Sequence, residues 1–283
     1  MLKKKFFNIG IFQVGGPDFV LFNITGAVTK KYTISTNVVT NGTNLSQPSS
    51  AGSAAGNLTL GLFLATNGGQ LTSKYTFTTD GVVPGTSMGV NISNSGSATA
   101  GNGDLCITSR GGNTSSTLKY TYAGDGVSAG TALSAALLQG ASTGNIDYAF
   151  FQLPTGAAGT NRYEYAGDVR IAGPNLTSGG ATSSTGSSSG NGTIGLIGKS
   201  SSAVTDKLSF SANTCVAGGS LTASRNARGM AGDTVVGIFD MGSTTVNACI
   251  YTYAGDTTAA GASLQVASAT GAAVCSVPAG VNV

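Results

Sequence analysis

Histidine is absent from this 283-residue chain, so acid–base and nucleophilic chemistry falls to eleven carboxylates, of which Glu164 is the only glutamate, and to four cysteines. Without imidazole there is no Ser-His or Cys-His nucleophile pair. What remains is paired-carboxylate chemistry of the glycosidase kind, which needs two acids facing one bond, or calcium binding, which needs several acids in one short loop. Asp80, Asp125, Asp168 and Asp256 are never closer than 43 residues, and no DxDxDG run occurs. Asp104, Asp147, Asp206 and Asp233 are scattered, and no spacing pairs any two of them. Cys106, Cys215, Cys249 and Cys275 form no CxxC pair, which with the missing histidine removes the usual zinc constellations. They read as mostly buried, reduced thiols. The runs "GGNTSS", "SGGATSSTGSSSGNG" and "SSAGSAAGN" lack the Lys-Ser/Thr ending of a phosphate loop. Segments 46–56 and 177–192 read as flexible connections. Asn57, Asn91 and Asn175 begin Asn-x-Ser/Thr sequons that follow from composition alone. No catalytic, cofactor-binding or metal-binding residue is assigned, and ligand-binding residues stay unassigned.

The elements that hold these residues repeat. One phrase occurs six times: "KYTISTNVVTNGTNL" from Lys31, "KYTFTTDGVVPGTSM" from Lys74, "KYTYAGDGVSAGTAL" from Lys119, "RYEYAGDVRIAGPNL" from Arg162, "KLSFSANTCVAGGSL" from Lys207 and "IYTYAGDTTAAGASL" from Ile250. Its second position is Tyr32, Tyr75, Tyr120, Tyr163, Leu208 or Tyr251, at intervals of 43, 45, 43, 45 and 43 residues. The second and fourth positions, as in Tyr120 and Tyr122, have period two and point to one buried face of a strand. An Asp or Asn follows at Asn37, Asp80, Asp125, Asp168, Asn213 and Asp256, a residue type that closes turns through its own backbone. Gly42, Gly85, Gly130, Gly173, Gly218 and Gly261 then recur at one offset, implying positive φ or close backbone approach. An apolar anchor ends the phrase at Leu45, Met88, Leu133, Leu176, Leu221 and Leu264.

Between the phrases runs a looser theme, such as "AGNLTLGLFLATNGG" from Ala55 and "AGDTVVGIFDMGS" from Ala231: a small-residue turn, a hydrophobic strand covered on both faces, and a Gly-rich turn. A period near 44 has room for four strands of about five or six residues. Four strands per repeat make a propeller blade, and helical solenoids would need a 3.6-residue apolar spacing that is missing. The expectation is an all-β, six-bladed β-propeller over residues 1–283, with extra strands at 5–24 and 270–283 and the ring closed by the chain ends.

The sequence AGN, then GLF or GIF, a Gly-rich turn, KYTY and AGTSL resembles the kelch-like β-propeller repeats of bacterial and bacteriophage proteins over nearly the entire chain. The double glycine that ends the second strand in that family is matched by Gly68–Gly69 and Gly111–Gly112, with Gly15–Gly16 a further candidate, but the fourth to sixth repeats lack it. The tryptophan of ordinary kelch blades is missing.

Charge is scarce: 9% of residues are charged, and the formal charge of +3 owes much to Lys3, Lys4, Lys5, Lys30 and Lys31. The Lys3–Lys5 run reads as a solvated tail. Basic residues elsewhere are too thinly spread for nucleic-acid binding. No stretch of eighteen uninterrupted apolar residues offers a membrane span, and the N-terminus lacks the cleavage site of a signal peptide. The expected function is non-enzymatic: a bacteriophage capsid, tail or fibre component made in the host cytoplasm and localised to the virion. Expected partners are other virion proteins or like subunits, with a host-surface glycan as a possible ligand. The alternatives are a lectin-like module using Tyr and Asn at the blade loops, and an intracellular scaffold or sugar-processing enzyme.

Overall fold

A computed structural model describes residues 18–48, 53–64, 69–92, 97–137, 140–153, 158–179, 187–199, 202–224, 229–241, 247–264 and 273–275. All regular elements among them are strands, arranged in six antiparallel four-stranded sheets. Blade one holds β1 (Phe19–Thr25), β2 (Val28–Thr33) and β3 (Val38–Asn41). Blade two holds β4 (Ala54–Gly56), β5 (Leu60–Leu64), β6 (Thr72–Thr76) and β7 (Gly81–Gly85), and blade three β8 (Thr99–Gly101), β9 (Leu105–Ser109), β10 (Thr117–Thr121) and β11 (Gly126–Gly130). Blade four holds β12 (Ser142–Gly144), β13 (Tyr148–Gln152), β14 (Thr160–Glu164) and β15 (Val169–Ala172). Blade five holds β16 (Ser187–Gly190), β17 (Ile194–Gly198), β18 (Thr205–Ser209) and β19 (Thr214–Ala217). Blade six holds β20 (Gly229–Gly232), β21 (Val236–Asp240), β22 (Asn247–Thr252) and β23 (Thr257–Ser263). The innermost strand of blade one is β24 (Ala273–Cys275), which pairs antiparallel with β1 through Leu21↔Cys275, Phe22↔Val274 and Asn23↔Ala273. The chain ends close the ring, as expected, and the remainder of the 5–24 and 270–283 segments lies outside the described residues.

Strand character falls into radial order. The inner strands β4, β8, β12, β16, β20 and β24 touch one another around the axis. They are built almost wholly from Gly, Ala, Ser and Thr, because strands converging on an axis leave no room for bulk. A Cβ on Gly190 would lie 3.3 Å from the Gly144 carbonyl oxygen of the neighbouring inner strand. This corrects two expectations. The Ala-Gly of the AGN theme is the inner strand itself rather than a turn, so strand length is three or four residues there, not five or six. Parts of the segments read as flexible connections are likewise strand: Ala54–Gly56 within 46–56 and Ser187–Gly190 within 177–192. The second strands are buried on both faces, as the continuous apolar runs required. The outermost strands are largely exposed.

The core is distributed over six inter-blade seams. Each seam joins the anchor of one blade to the second-position residue of the next: Leu45 with Tyr75, Met88 with Tyr120, Leu133 with Tyr163, Leu176 with Leu208, Leu221 with Tyr251, and Leu264 with Tyr32 across the closure. All six second-position side chains are fully buried, and burial of such a group stabilises by about 1.5–3 kcal/mol.

The phrase glycine is explained by close approach. None of its six copies has positive φ. A Cβ on Gly42, Gly85, Gly130, Gly173 or Gly218 would sit 2.2–2.5 Å from the hydroxyl of Thr29, Thr72, Thr117, Thr160 or Thr205. Each hydroxyl donates to the carbonyl just past that glycine, at Thr43, Thr86, Thr131, Pro174 and Gly219, at 2.7–3.0 Å. The sixth repeat has Ala248 in place of threonine, and there the pairing of β22 with β23 shifts register between Asn247 and Cys249. Gly85→Ala is expected to destabilise by about 1–3 kcal/mol through overpacking. Adding Thr72→Ala should recover part of that loss, as read by chemical denaturation.

Candidate functional site

The residues with the greatest chemical potential converge on the seams. Asn37, Asp80, Asp125, Asp168, Asn213 and Asp256 all have φ between 48° and 54°, the left-handed region that Asp and Asn tolerate. The turn reading therefore holds, but it is half of the role. Held in that conformation, Asp80, Asp125, Asp168 and Asp256 each turn Oδ1 toward the preceding blade. There it accepts the backbone N–H of Thr43 (3.2 Å), Thr86 (3.1 Å), Thr131 (2.9 Å) or Gly219 (2.9 Å). Their Oδ2 atoms pair with Lys31 (2.6 Å), Lys74 (2.8 Å), Lys119 (2.6 Å) and Lys207 (2.9 Å), again from the preceding blade. Tyrosine hydroxyls join the same knot: Tyr75 donates to Asp80, while Tyr163 and Tyr251 accept from the Thr131 (3.3 Å) and Gly219 (3.1 Å) amides. Partial burial pushes these carboxyls up, but the lysine hydrogen bond, the backbone amide and the lysine charge outweigh it, so Asp80, Asp125 and Asp168 lie below the ordinary aspartate value.

Two seams depart from this pattern. At the closure, Ile250 stands where the lysine would be and Asn37 where the aspartate would be; Asn37 Oδ1 accepts the Ala262 amide at 2.7 Å. Between blades four and five the residue after the phrase glycine is Pro174, which has no N–H to give. Asn213 stands at the acceptor position there; its Nδ2 donates to the Ala172 carbonyl at 3.3 Å and its Oδ1 is left buried without a partner. The buried tyrosine is replaced by Leu208, so no hydroxyl is stranded without its amide. The cation, Arg162, turns to its own blade, 3.3 Å from Glu164 and over the Tyr148 ring at 3.8 Å. This seam is fastened near its other end by the fully buried Asp206, which accepts from the Thr177 (2.8 Å) and Ser178 (3.1 Å) amides and from both their hydroxyls.

A second set of polar residues rings the axis. Asn57, Asn102, Asn145, Asn191 and Asp233 close the turns between first and second strands, each Oδ1 accepting the amides two and three residues on at 2.7–3.1 Å. The Asn57, Asn102 and Asn145 amides also reach the next blade, donating to the Gly103, Ile146 and Gly192 carbonyls. These turns share one face of the disc with the turns between third and fourth strands, as when the Tyr122 amide donates to the Asp104 carbonyl at 2.9 Å. The opposite face carries the longer connections.

The remaining candidates fall as follows. Asp104 and Asp147 are exposed in the axial turns of blades three and four, Asp233 forms its turn in blade six, and Asp206 is the buried fastener on the opposite side of the disc. Cys106 and Cys249 are fully buried and Cys215 partly so, all three free; burial pushes the Cys106 thiol up to about 12 and the Cys215 thiol to about 11. Among the described residues no three His, Cys, Asp or Glu side chains group as metal ligands. The inter-blade knots and the threonine fasteners escaped sequence reading, although the coincidence of Asn213 with Pro174 and Arg162 was visible in the aligned phrases.

Two outcomes are expected. Because Asp80, Asp125 and Asp168 are depressed in the folded state, their contribution is fully present above the ordinary aspartate pKa of about 3.9 and is lost as pH falls through the lower folded values. Asp125→Ala should accordingly cost about 1–2 kcal/mol at pH 7, a difference that shrinks in acid denaturation curves. Thr131→Pro should transplant the blade four–five defect into an intact seam, and its cost should be smaller, by at least about 0.5 kcal/mol, in a Tyr163→Phe/Asp168→Asn background.

No protein-family profile matches the chain, and neither does any curated protein.

Proposed function

We propose that the protein is a non-catalytic structural component of a bacteriophage particle, displaying its propeller as a rigid platform for other virion proteins or for the host surface. The observation that carries this reading is the commitment of the repeated carboxylates to inter-blade pairs and backbone amides, which accounts for them as fasteners. A surface poor in charge and rich in Gly, Ser and Thr suits protein packing better than nucleic-acid tracking. The kelch-like, phage-type resemblance rests on the repeat phrases and on Gly111 and Gly112, both at φ 63° after the second strand of blade three. A propeller fold hosts many functions, so fold analogy alone does not name the partner.

The lectin-like reading has less support. Stacking on sugar rings needs exposed aromatic faces, whereas Tyr32, Tyr75, Tyr120, Tyr163 and Tyr251 are fully buried and Tyr122, Tyr165 and Tyr253 nearly so. The decisive measurement is mass spectrometry of density-banded particles from cells expressing this gene in its native context. The chain is expected at a fixed ratio to the major particle proteins. Confinement to the soluble lysate, with none in the band, would defeat the proposal and favour an intracellular scaffold.

A further inference from the structure

Four Asn-Gly pairs occur in the chain: Asn41–Gly42, Asn67–Gly68, Asn102–Gly103 and Asn191–Gly192. In such a pair the glycine nitrogen, with no Cβ beside it, is open to attack the side-chain amide carbon of the asparagine. The Asn67 pair lies outside the described residues, and the other three differ in what holds the reacting atoms. In the Asn41 pair the nucleophile is occupied, because the Gly42 amide donates to the Thr29 carbonyl at 3.2 Å. In the Asn102 pair the leaving group is held, because Nδ2 donates to the Ile146 carbonyl of the next blade at 3.1 Å. Asn191 has neither restraint: among the described residues its side-chain contacts all fall on Oδ1, which accepts from the Thr193 amide (3.1 Å), the Thr193 hydroxyl (2.9 Å) and the Ile194 amide (3.0 Å). The turns of blades three and five are otherwise a close match. Both read Gly-Asn-Gly, both asparagines and the glycines after them are half-buried, and Asn102 Oδ1 likewise accepts the amides two and three residues on. Blade three, however, has Asp104 in place of Thr193 and so no hydroxyl to give.

We infer that Asn191 is a self-modifying site, which loses its side-chain amide by attack of the Gly192 nitrogen with the Thr193 hydroxyl and two backbone amides acting as an oxyanion hole. The Gly192 nitrogen gives its proton to a solvent base and bonds to Asn191 Cγ. Negative charge gathers on Oδ1 as Cγ becomes tetrahedral, where the three donors already point. The Cγ–Nδ2 bond then breaks, and Nδ2 takes a proton and leaves as ammonia, which closes a five-membered succinimide. Water opens that ring in one of two ways. Addition at Cγ breaks the new bond and leaves an aspartate in an unaltered main chain; addition at the Asn191 main-chain carbonyl breaks the old peptide bond and leaves isoaspartate, with one more atom in the main chain. The first product keeps the turn, since Asp233 closes the equivalent turn of blade six with Oδ1 accepting the Val235 and Val236 amides, both at 2.7 Å. The second lengthens the turn between β16 and β17 and displaces Gly192, which is held at φ 90° and whose carbonyl accepts Asn145 Nδ2 from blade four at 2.9 Å. The change therefore acts on the seam between blades four and five, which already lacks the rim ion pair, and either product adds a carboxylate to the tight-turn face.

The test incubates full-length protein in 18O-labelled water at mildly alkaline pH, folded and in denaturant, and follows uptake of solvent oxygen at each asparagine by peptide mapping and mass spectrometry. In the folded protein, conversion at Asn191 is expected to run about three- to tenfold faster than at Asn102, the rate factor that one net hydrogen bond is worth. In denaturant, where both segments are simply Gly-Asn-Gly, the two rates should converge. Thr193→Ala, at an exposed position, should slow conversion of Asn191 severalfold in the folded protein and leave its rate in denaturant unchanged, which separates loss of the donor from loss of the fold. The acidic fraction that accumulates in aged protein should be absent from Asn191→Gln. Equal folded rates at Asn102 and Asn191, or a folded Thr193→Ala rate equal to that of the unsubstituted protein, would overturn the inference. So would a folded Asn191 that takes up no label over a period in which the denatured chain converts fully.

Discussion

The contact between neighbouring blades is what the molecule depends on. A sheet of four short strands cannot by itself bury two apolar faces, and its second strands are apolar on both. Only a neighbour on each side covers them, and the sole arrangement in which every blade has two neighbours is a closed ring. Closure in turn fixes the composition of the inner strands, because strands meeting near an axis exclude side chains larger than threonine over most of their length. The pairing of β24 with β1 is the step that commits the two ends of the chain to one sheet.

Each seam combines a non-directional and a directional part. The first is burial of an anchor leucine or methionine against the second-position residue of the next blade; the second, in four of the six seams, is the left-handed aspartate with its lysine and the backbone amide. The directional part is a small coupled set, as the seam between blades four and five makes plain. Once Pro174 removes the amide, a carboxylate and a tyrosine hydroxyl would both lose their partner, and a buried unpaired polar group costs about 1–3 kcal/mol. Leu208 removes the hydroxyl and Asn213 puts a neutral amide where the carboxylate would be, although its Oδ1 is left buried and unpaired, and the buried Asp206 holds the same two blades from the other side.

The two faces of the disc differ for the same reason. Turns that carry inter-blade hydrogen bonds cannot vary freely, so the tight-turn face is nearly uniform from blade to blade. The connections on the opposite face differ in length and sequence from blade to blade. The ion pairs of Lys31, Lys74, Lys119 and Lys207 all lie near the rim of the tight-turn face.

The repeat interval alone determined the number of blades, the four-stranded module and the buried positions, because spacing of period two and an apolar anchor at a constant offset are properties of one strand and its turn. Glu164, the repeated aspartates and the cysteines could likewise be read as structural from the lack of any partner motif. Tertiary structure decided what those residues fasten. The hydrogen bonds of Asp80, Asp125, Asp168 and Asp256 join residues 37 to 51 positions apart, and nothing local distinguishes an acceptor that closes its own turn from one that also receives a neighbour's amide. The inner strands were hidden for a related reason: Ala-Gly and Ser-rich runs have little strand propensity of their own, and become strands only where the axis leaves space for nothing larger.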